Sequence, residues 1–249
     1  MPRDDAHDFR AQRLFIADDL GEGRRVPLSR EQANYLLNVL RLGSGAAIRI
    51  FNGRDGEWAA TIAPTGRRDA ALDVARRLRP QVGGPDVDYL FAPLKRARLD
   101  YMVQKATELG VARLRPVLTR FTAAERINLE RMSANVVEAA EQCGILRLPE
   151  VLAPEKLTTL VHTWDPARRL IFCDEGAAAA DPIAVLAAVR PGPLAVLIGP
   201  EGGFADDERA LLTSRDWTVR MALGPRIMRA DTAAVAALTL VNAVLGDWR

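Results

Sequence analysis

Cysteine and histidine are almost absent from this 249-residue sequence: Cys143, Cys173, His7 and His162 are all that it has. Two cysteines make neither a disulfide framework nor a metal-ligand spacing, and each reads as a small core residue rather than a reactive thiol. His7 lies in a polar tail and His162 sits beside Trp164 in a loop-like segment. A zinc site and a Ser-His-Asp triad are therefore not expected, and no metal is. Long apolar runs are missing as well, which argues against a membrane-spanning helix. The opening MPRDDAHDFRAQR is too charged for a secretory signal, so the expected compartment is the cytosol. The glycine fingerprints G-x-G-x-x-G and G-x-x-x-x-G-K-[ST] do not occur. Lysine is scarce, with three residues against 31 arginines. Arginine forks suit phosphates and base edges, but the same excess follows from a coding sequence rich in G and C.

What is present divides into two rhythms. Net charge is +3 over residues 1–80, +1 over 81–160 and −2 over 161–249, so the front of the chain is its basic end. Residues 1–80 read as a small β-rich unit. RLFIA (13–17) is a short strand. Ser29 and Gln32 form a capping box ahead of a helix that carries Tyr35, Leu36, Val39 and Leu40 on one face, with Gly43 closing it. AAIRIFNGRDGEWAATIA is a hairpin around an Asn-Gly/Asp-Gly turn, and ALDVARRLR is a further strand. PQVGGPD (80–86) breaks all periodicity, which places a domain boundary there and gives domains 1–80 and 81–249.

After that break, apolar runs of strand length alternate with amphipathic runs of helix length. The strands are VDYLFAPL, RLRPVLT, RRLIFCD, PLAVLIG and TVRMALG; the helices lie near 97–109, 126–143, 181–189, 205–214 and 231–245. Such alternation predicts an α/β domain whose parallel sheet is covered on both faces. Ligands bind such sheets at the carboxyl ends of the strands. Two loops fall there, IGPEGG (198–203) and MALGPRIMRAD (221–231). If their strands are neighbours, the loops form a cleft of backbone groups, apolar walls and one cation. That cleft suits a flat purine and an uncharged sugar, and has no lysine cradle for a polyphosphate. Taken alone, GPEGG is as well explained by a tight turn. The helix after the second loop is expected to be capped near Asp231 or Thr232. In DYMVQKATELG, Met102, Val103, Ala106 and Leu109 make a core face, with Gln104, Lys105 and Glu108 off it. Glu138, Glu141 and Gln142 share one side of a later helix, where solvent-facing charge is the ordinary reading.

Four stretches carry a resemblance: LKRARLDYMVQKATELGVARLRPVLT, EAAEQCG, LIGPEGGF and LGPRIMRADTAAVAAL. In order and spacing across about 90–249 they resemble the ribosomal RNA small subunit methyltransferase E family, of the SPOUT class of knotted methyltransferases. The basic front unit resembles that family's PUA-like RNA-binding domain. The resemblance implies methyl transfer from S-adenosylmethionine to N3 of a uridine in small-subunit (16S) ribosomal RNA. It also implies a C-terminal deep trefoil knot that binds the cofactor, and a homodimer formed around the knot. Carried over by motif, Leu197, Gly199, Pro200, Glu201 and Gly202 would line one side of the cofactor. Leu223, Gly224, Ile227 and Met228 would line the other. Arg229 would face the uridine, where a cation stabilises the anion left when N3 loses its proton. Asp231, Glu201 or water would accept that proton. Arg229 also has a structural reading, as an ion pair to Asp231 or to a partner subunit. Arg10, Arg13, Arg24, Arg25, Arg67, Arg68, Arg96 and Arg98 are the candidates for RNA phosphate contacts.

Two departures from the family's pattern stand out. Asp231 occupies a place usually held by Glu or another polar residue. Ala205 replaces a common capping serine, which makes Asp206 the expected cap. Two other functions remain open on the sequence: a SPOUT enzyme acting on a transfer RNA base or a ribose 2′-hydroxyl, and a knotted RNA clamp without chemistry.

Overall fold

The computed structural model describes residues 11–66, 69–123, 126–178 and 180–248. Arg10, Arg67, Arg68 and His7 lie outside the described residues. The chain forms two compact units, one of residues 1–83 with 140–147 and one of residues 84–139 with 148–249.

In the first unit, β1 (Arg13–Phe15), β2 (Arg25–Pro27), β3 (Ala47–Phe51), β4 (Glu57–Pro64) and β5 (Ala70–Arg79) form one sheet in the order β1-β3-β4-β5-β2. Only the β1–β3 pair is parallel. Leu14, Ile48, Ile50, Ile62 and Leu72 fill its core with Leu36 from the helix. That helix begins as α1 (Arg30–Asn34), where Ser29 Oγ accepts from the Gln32 N–H and Gln32 reaches back to the Ser29 N–H. It continues as a π-helical turn over Tyr35–Val39. Gly43 does not close it. Arg41 takes the left-handed conformation, at φ 56°, and the Leu42 N–H bonds the Leu36 carbonyl. The reversal that glycine normally makes is thus made two residues earlier by an arginine.

Arg13 was a candidate for RNA contact, and the structure corrects this. The residue is 4% exposed. Its Nε donates to Glu57 Oε1 at 2.7 Å, and its other nitrogens donate to the carbonyls of Ala140, Glu141 and Ile145. Arg49 and Arg79 complete the ring around Glu57, which is 1% exposed. Burial alone would raise the Glu57 carboxyl. Hydrogen bonds from Arg79 and Arg13, and their charges, outweigh it and hold the group below the usual carboxylate range.

In the second unit the sheet runs β12-β10-β11-β6-β7-β8, all parallel, with β9 beside the end of β7. The strands are β6 (Val87–Phe91), β7 (Arg113–Leu118), β8 (Glu150–Val151), β9 (Glu155–Lys156), β10 (Arg169–Cys173), β11 (Leu194–Ile198) and β12 (Thr218–Met221). The helices are α2 (Arg96–Glu108), α3 (Leu129–Cys143, of which residues 140–143 belong to the first unit), α4 (Leu157–His162), α5 (Pro182–Ala187), α6 (Asp206–Thr213) and α7 (Ala230–Val244). Along β11, Val196 and Ile198 join a core with residues of α2 and α7, while Ala195 and Leu197 join a second with residues of α4 and α6. Burial on both faces explains why this strand is apolar at every position. Asp231 and Thr232 do not cap α7, because the helix starts a residue earlier with Arg229 at the cap position. Asp206 does not cap α6 either. Ala205 holds that position, and Glu208 reaches back to accept from the Ala205 N–H at 3.1 Å.

Candidate functional site

The glycine loops follow β11 and β12, which are not neighbours in the sheet: β10 lies between them. Consecutive strands in sequence are thus separated by one strand in space. The two loops nevertheless line one cavity of about 700 Å³, joined by Cys173, Asp174 and Glu175 from the end of β10 and by Arg98 from α2.

Each loop glycine has its own cause. A Cβ on Gly199 would overlap the buried Phe204 ring, so that position is empty for packing. Gly203 at φ +72° and Gly224 at φ +98° hold left-handed conformations that a side chain strains. No other group lies within 4 Å of where a Gly224 Cβ would stand, so the backbone there is open to a ligand. The second loop continues with Ile227, 91% exposed, and Met228, half-buried.

Of the residues expected at the cofactor, Gly199, Pro200, Glu201, Gly202, Leu223, Gly224, Ile227 and Met228 all line this cavity. Leu197 does not; its side chain is fully buried in the core below. Arg229 lines the cavity and is exposed at its rim. No ion pair from Arg229 to Asp231 is present among the described residues. Asp231 is not a lining residue; its Oδ1 accepts from the Thr232 N–H at 2.9 Å. Glu201 lines the cavity and forms an ion pair with Arg98. Arg98, expected on RNA, therefore belongs to this cavity, whereas Arg96 is exposed on the other side of the helix start. Arg24 and Arg25 lie exposed in the first unit, Arg25 forked onto Asp73 at 2.6 and 2.9 Å.

The end of β10 was missed in the sequence. Asp174 is 1% exposed, paired with Arg209 and Arg220, and accepts from the Gly176 N–H at 3.0 Å. It ties β10 to α6 and to β12 and so fixes both flanks of the cavity. The rule of strand carboxyl ends applied to RRLIFCD as much as to the other two runs. Burial pushes the Cys173 thiol up to about 12, which keeps it protonated and unreactive. No cluster of metal-ligating side chains occurs among the described residues.

Comparison with known proteins gives the class, an RNA methyltransferase. A family model described as an RNA methyltransferase domain matches residues 83–242, and one described as an RNA methyltransferase PUA domain matches residues 28–74. The chain belongs to the ribosomal RNA small subunit methyltransferase E family. A member from Rickettsia conorii is 30% identical over 92% of this chain and 94% of its own. One from Mycobacterium tuberculosis is 30% identical over 94% of this chain and 93% of its own. A solved methyltransferase from Legionella pneumophila, in complex with the bound cofactor SAM, has a TM-score of 0.83 and 28% identity, covering 96% of this chain and 99% of that one. A Neisseria gonorrhoeae structure at 23% identity and TM-score 0.82 has the same fold.

Proposed function

We propose that this protein transfers the methyl group of S-adenosylmethionine to N3 of a uridine in small-subunit ribosomal RNA. The observation that carries the reading is the cavity where three strand ends meet, lined by two exposed arginines, Arg226 and Arg229, that have no ion-pair partner among the described residues, in a chain of this family. The residues fit the donor. A cavity of about 700 Å³ is large enough for a nucleoside with an amino-acid tail. Leu223, Ile227 and Met228 offer apolar walls for a purine, the open backbone at Gly224 admits close approach, and no lysine calls for a polyphosphate. When bound, the donor supplies an electrophilic methyl on a sulfonium.

The chain's own part is alignment, exclusion of water and charge control. The loops 199–203 and 222–228 hold the donor. Arg229 faces the incoming base and stabilises the negative charge on the uridine as N3 loses its proton. Glu201 accepts that proton, being a carboxylate that lines the cavity, with Arg98 holding it in place. Arg24 and Arg25 of the first unit contribute to RNA attraction. The C-terminal segment is threaded as a trefoil knot, two subunits pair around it, and the protein works in the cytosol.

The test is methyl transfer from labelled donor to small ribosomal subunits and to naked RNA, followed by nucleoside analysis. N3-methyluridine in either substrate supports the reading. Methyl on a ribose or on transfer RNA alone overturns it, and so does the absence of heat when the donor is titrated into the protein. Sedimentation at micromolar concentration checks the dimer.

A further inference from the structure

A second cavity, of about 440 Å³, opens at the head of α2. Lys95, Arg96, Arg126 and Arg131 line it, against a single carboxylate, Asp100. That carboxylate is already committed. Arg131 forks onto it at 2.6 and 2.8 Å, and Asn135 donates to it at 2.8 Å. Lys95, Arg96 and Arg126 are exposed and have no ion-pair partner among the described residues. The backbone adds to their field. Lys95 caps α2 without a side-chain hydrogen bond, and the first turn has no acidic residue, so the positive end of the helix dipole is uncompensated. Arg96 also feels the charge of Asp100, but one carboxylate shared with Arg131 leaves an excess of positive charge on this concave surface, which an anion would relieve.

Arg96 and Arg98 are two residues apart, so they lie on opposite sides of the helix. Arg98 lines the donor cavity and Arg96 this one. The two cavities are thus separated by about one helix width, roughly 10 Å. That is about three stacked steps of a nucleic-acid strand.

We infer that this second cavity binds a backbone phosphate of the substrate RNA, a few nucleotides from the base presented to the donor. The inference rests on the proposed function for its choice of anion. It assigns Lys95, Arg96 and Arg126 as phosphate ligands and leaves Arg131 as the residue that neutralises Asp100.

The test compares the wild-type protein with R96Q/R126Q, using an unstructured RNA oligonucleotide as probe at several salt concentrations. The variant is expected to bind about tenfold more weakly near physiological salt, with a salt slope lower by about 1. Its affinity for S-adenosylmethionine and its Tm should match the wild type. On small ribosomal subunits KM should rise while kcat holds, the mark of binding lost equally from ground and transition states. An unchanged affinity and slope overturn the inference, as does a loss of donor binding or of Tm alongside the RNA effect, which would make the arginines structural. Absence of methyl transfer by the wild type would sink the proposed function instead, while the salt slopes would still judge this cavity.

Discussion

The two ends of the parallel sheet are built from similar side chains to opposite effect. At the amino end, Asp88 is fully buried in β6 and faces Arg113 at 2.5 Å, Arg115 at 3.2 Å and Arg168 at 3.6 Å. Arg113 and Arg168 also reach Asp86 at 2.9 Å. Each of these three arginines meets a carboxylate. At the carboxyl end, Asp174 repeats that closed arrangement, but Arg226 and Arg229, which line the cavity, have no ion-pair partner among the described residues. The lesson is that an arginine count says little by itself. A guanidinium closed onto a buried carboxylate is part of the fold, and one left open over a cavity is available to a substrate.

The strongest way to break the comparison is to remove the closed centre. In D88A three arginines lose their shared carboxylate, Arg168 being only 11% exposed. Asp86 still meets Arg113 and Arg168, so the loss should fall below the cost of a fully uncompensated buried charge, about 3–5 kcal/mol. We expect a large fall in Tm, with the donor affinity of the remaining folded protein unchanged. A Tm within a degree or two of wild type would show that the amino end is not held in this way.

R229A should do the reverse. The side chain is exposed and unpaired, so Tm should hold. Losing one preorganised charge at a reacting centre lowers kcat by about 10²–10³. Single-turnover methyl transfer at saturating donor and RNA measures this directly. A smaller loss confined to KM would move Arg229 from the reacting base to general RNA attraction.

Replacing Glu201 by Gln keeps its shape and its place beside Arg98 but removes its basicity. A general base contributes about 10²–10⁴, and water can replace part of that, so we expect the low end of this range. The loss should appear in kcat at saturating donor and RNA, and an unchanged kcat in E201Q would assign the proton to solvent.

Acid acts more gently than deletion, since it neutralises a carboxylate without removing it. Glu57 in the first unit is a closed centre like Asp88, and its carboxyl is held below the usual range in the fold. A lowered folded value means that its stabilisation is present above the unfolded value, about 4.3, and is lost as pH falls through the folded one. Thermal unfolding of the wild type should therefore lose this contribution only below about pH 4. In E57Q that component should be missing throughout.

Much of this was legible because it is local. The apolar runs of β10, β11 and β12 and the Ser29 capping box are set by neighbours in sequence, and the loops after β11 and β12 follow from the sheet rule. What was hidden is long-range. Nothing near Arg13 announces Glu57, which is 44 residues away, or the carbonyls near Ala140. The position of β10 between β11 and β12 is likewise a property of the whole sheet, which is why Asp174 was overlooked. Two-residue strands such as β8 and β9, and the six-residue α4, are too short to show a period. The site itself was clearest where backbone geometry demands glycine, as at Gly224, and least clear where a side chain merely has to be unpaired, as at Arg229.

The smallest expected effect comes from the cap of α6, directly after the glycine loop. Ala205 has the extended conformation of a cap residue, at φ −64° and ψ 155°, but no oxygen to offer. Half of a capping box is already in place, since Glu208 accepts from the Ala205 N–H and also from the Arg120 N–H at 2.8 Å. A hydroxyl at position 205 would take the N–H of residue 208 and complete the pair, for a gain of about 0.5–1 kcal/mol. A205S should thus raise Tm by a few degrees. If stiffening the loop also strengthens donor binding, the open end of the sheet shares the rigidity of the closed one. A higher Tm with unchanged donor affinity would instead mean that the loop is already fixed by Phe204 packing on Gly199, and that the two ends differ in charge but not in order.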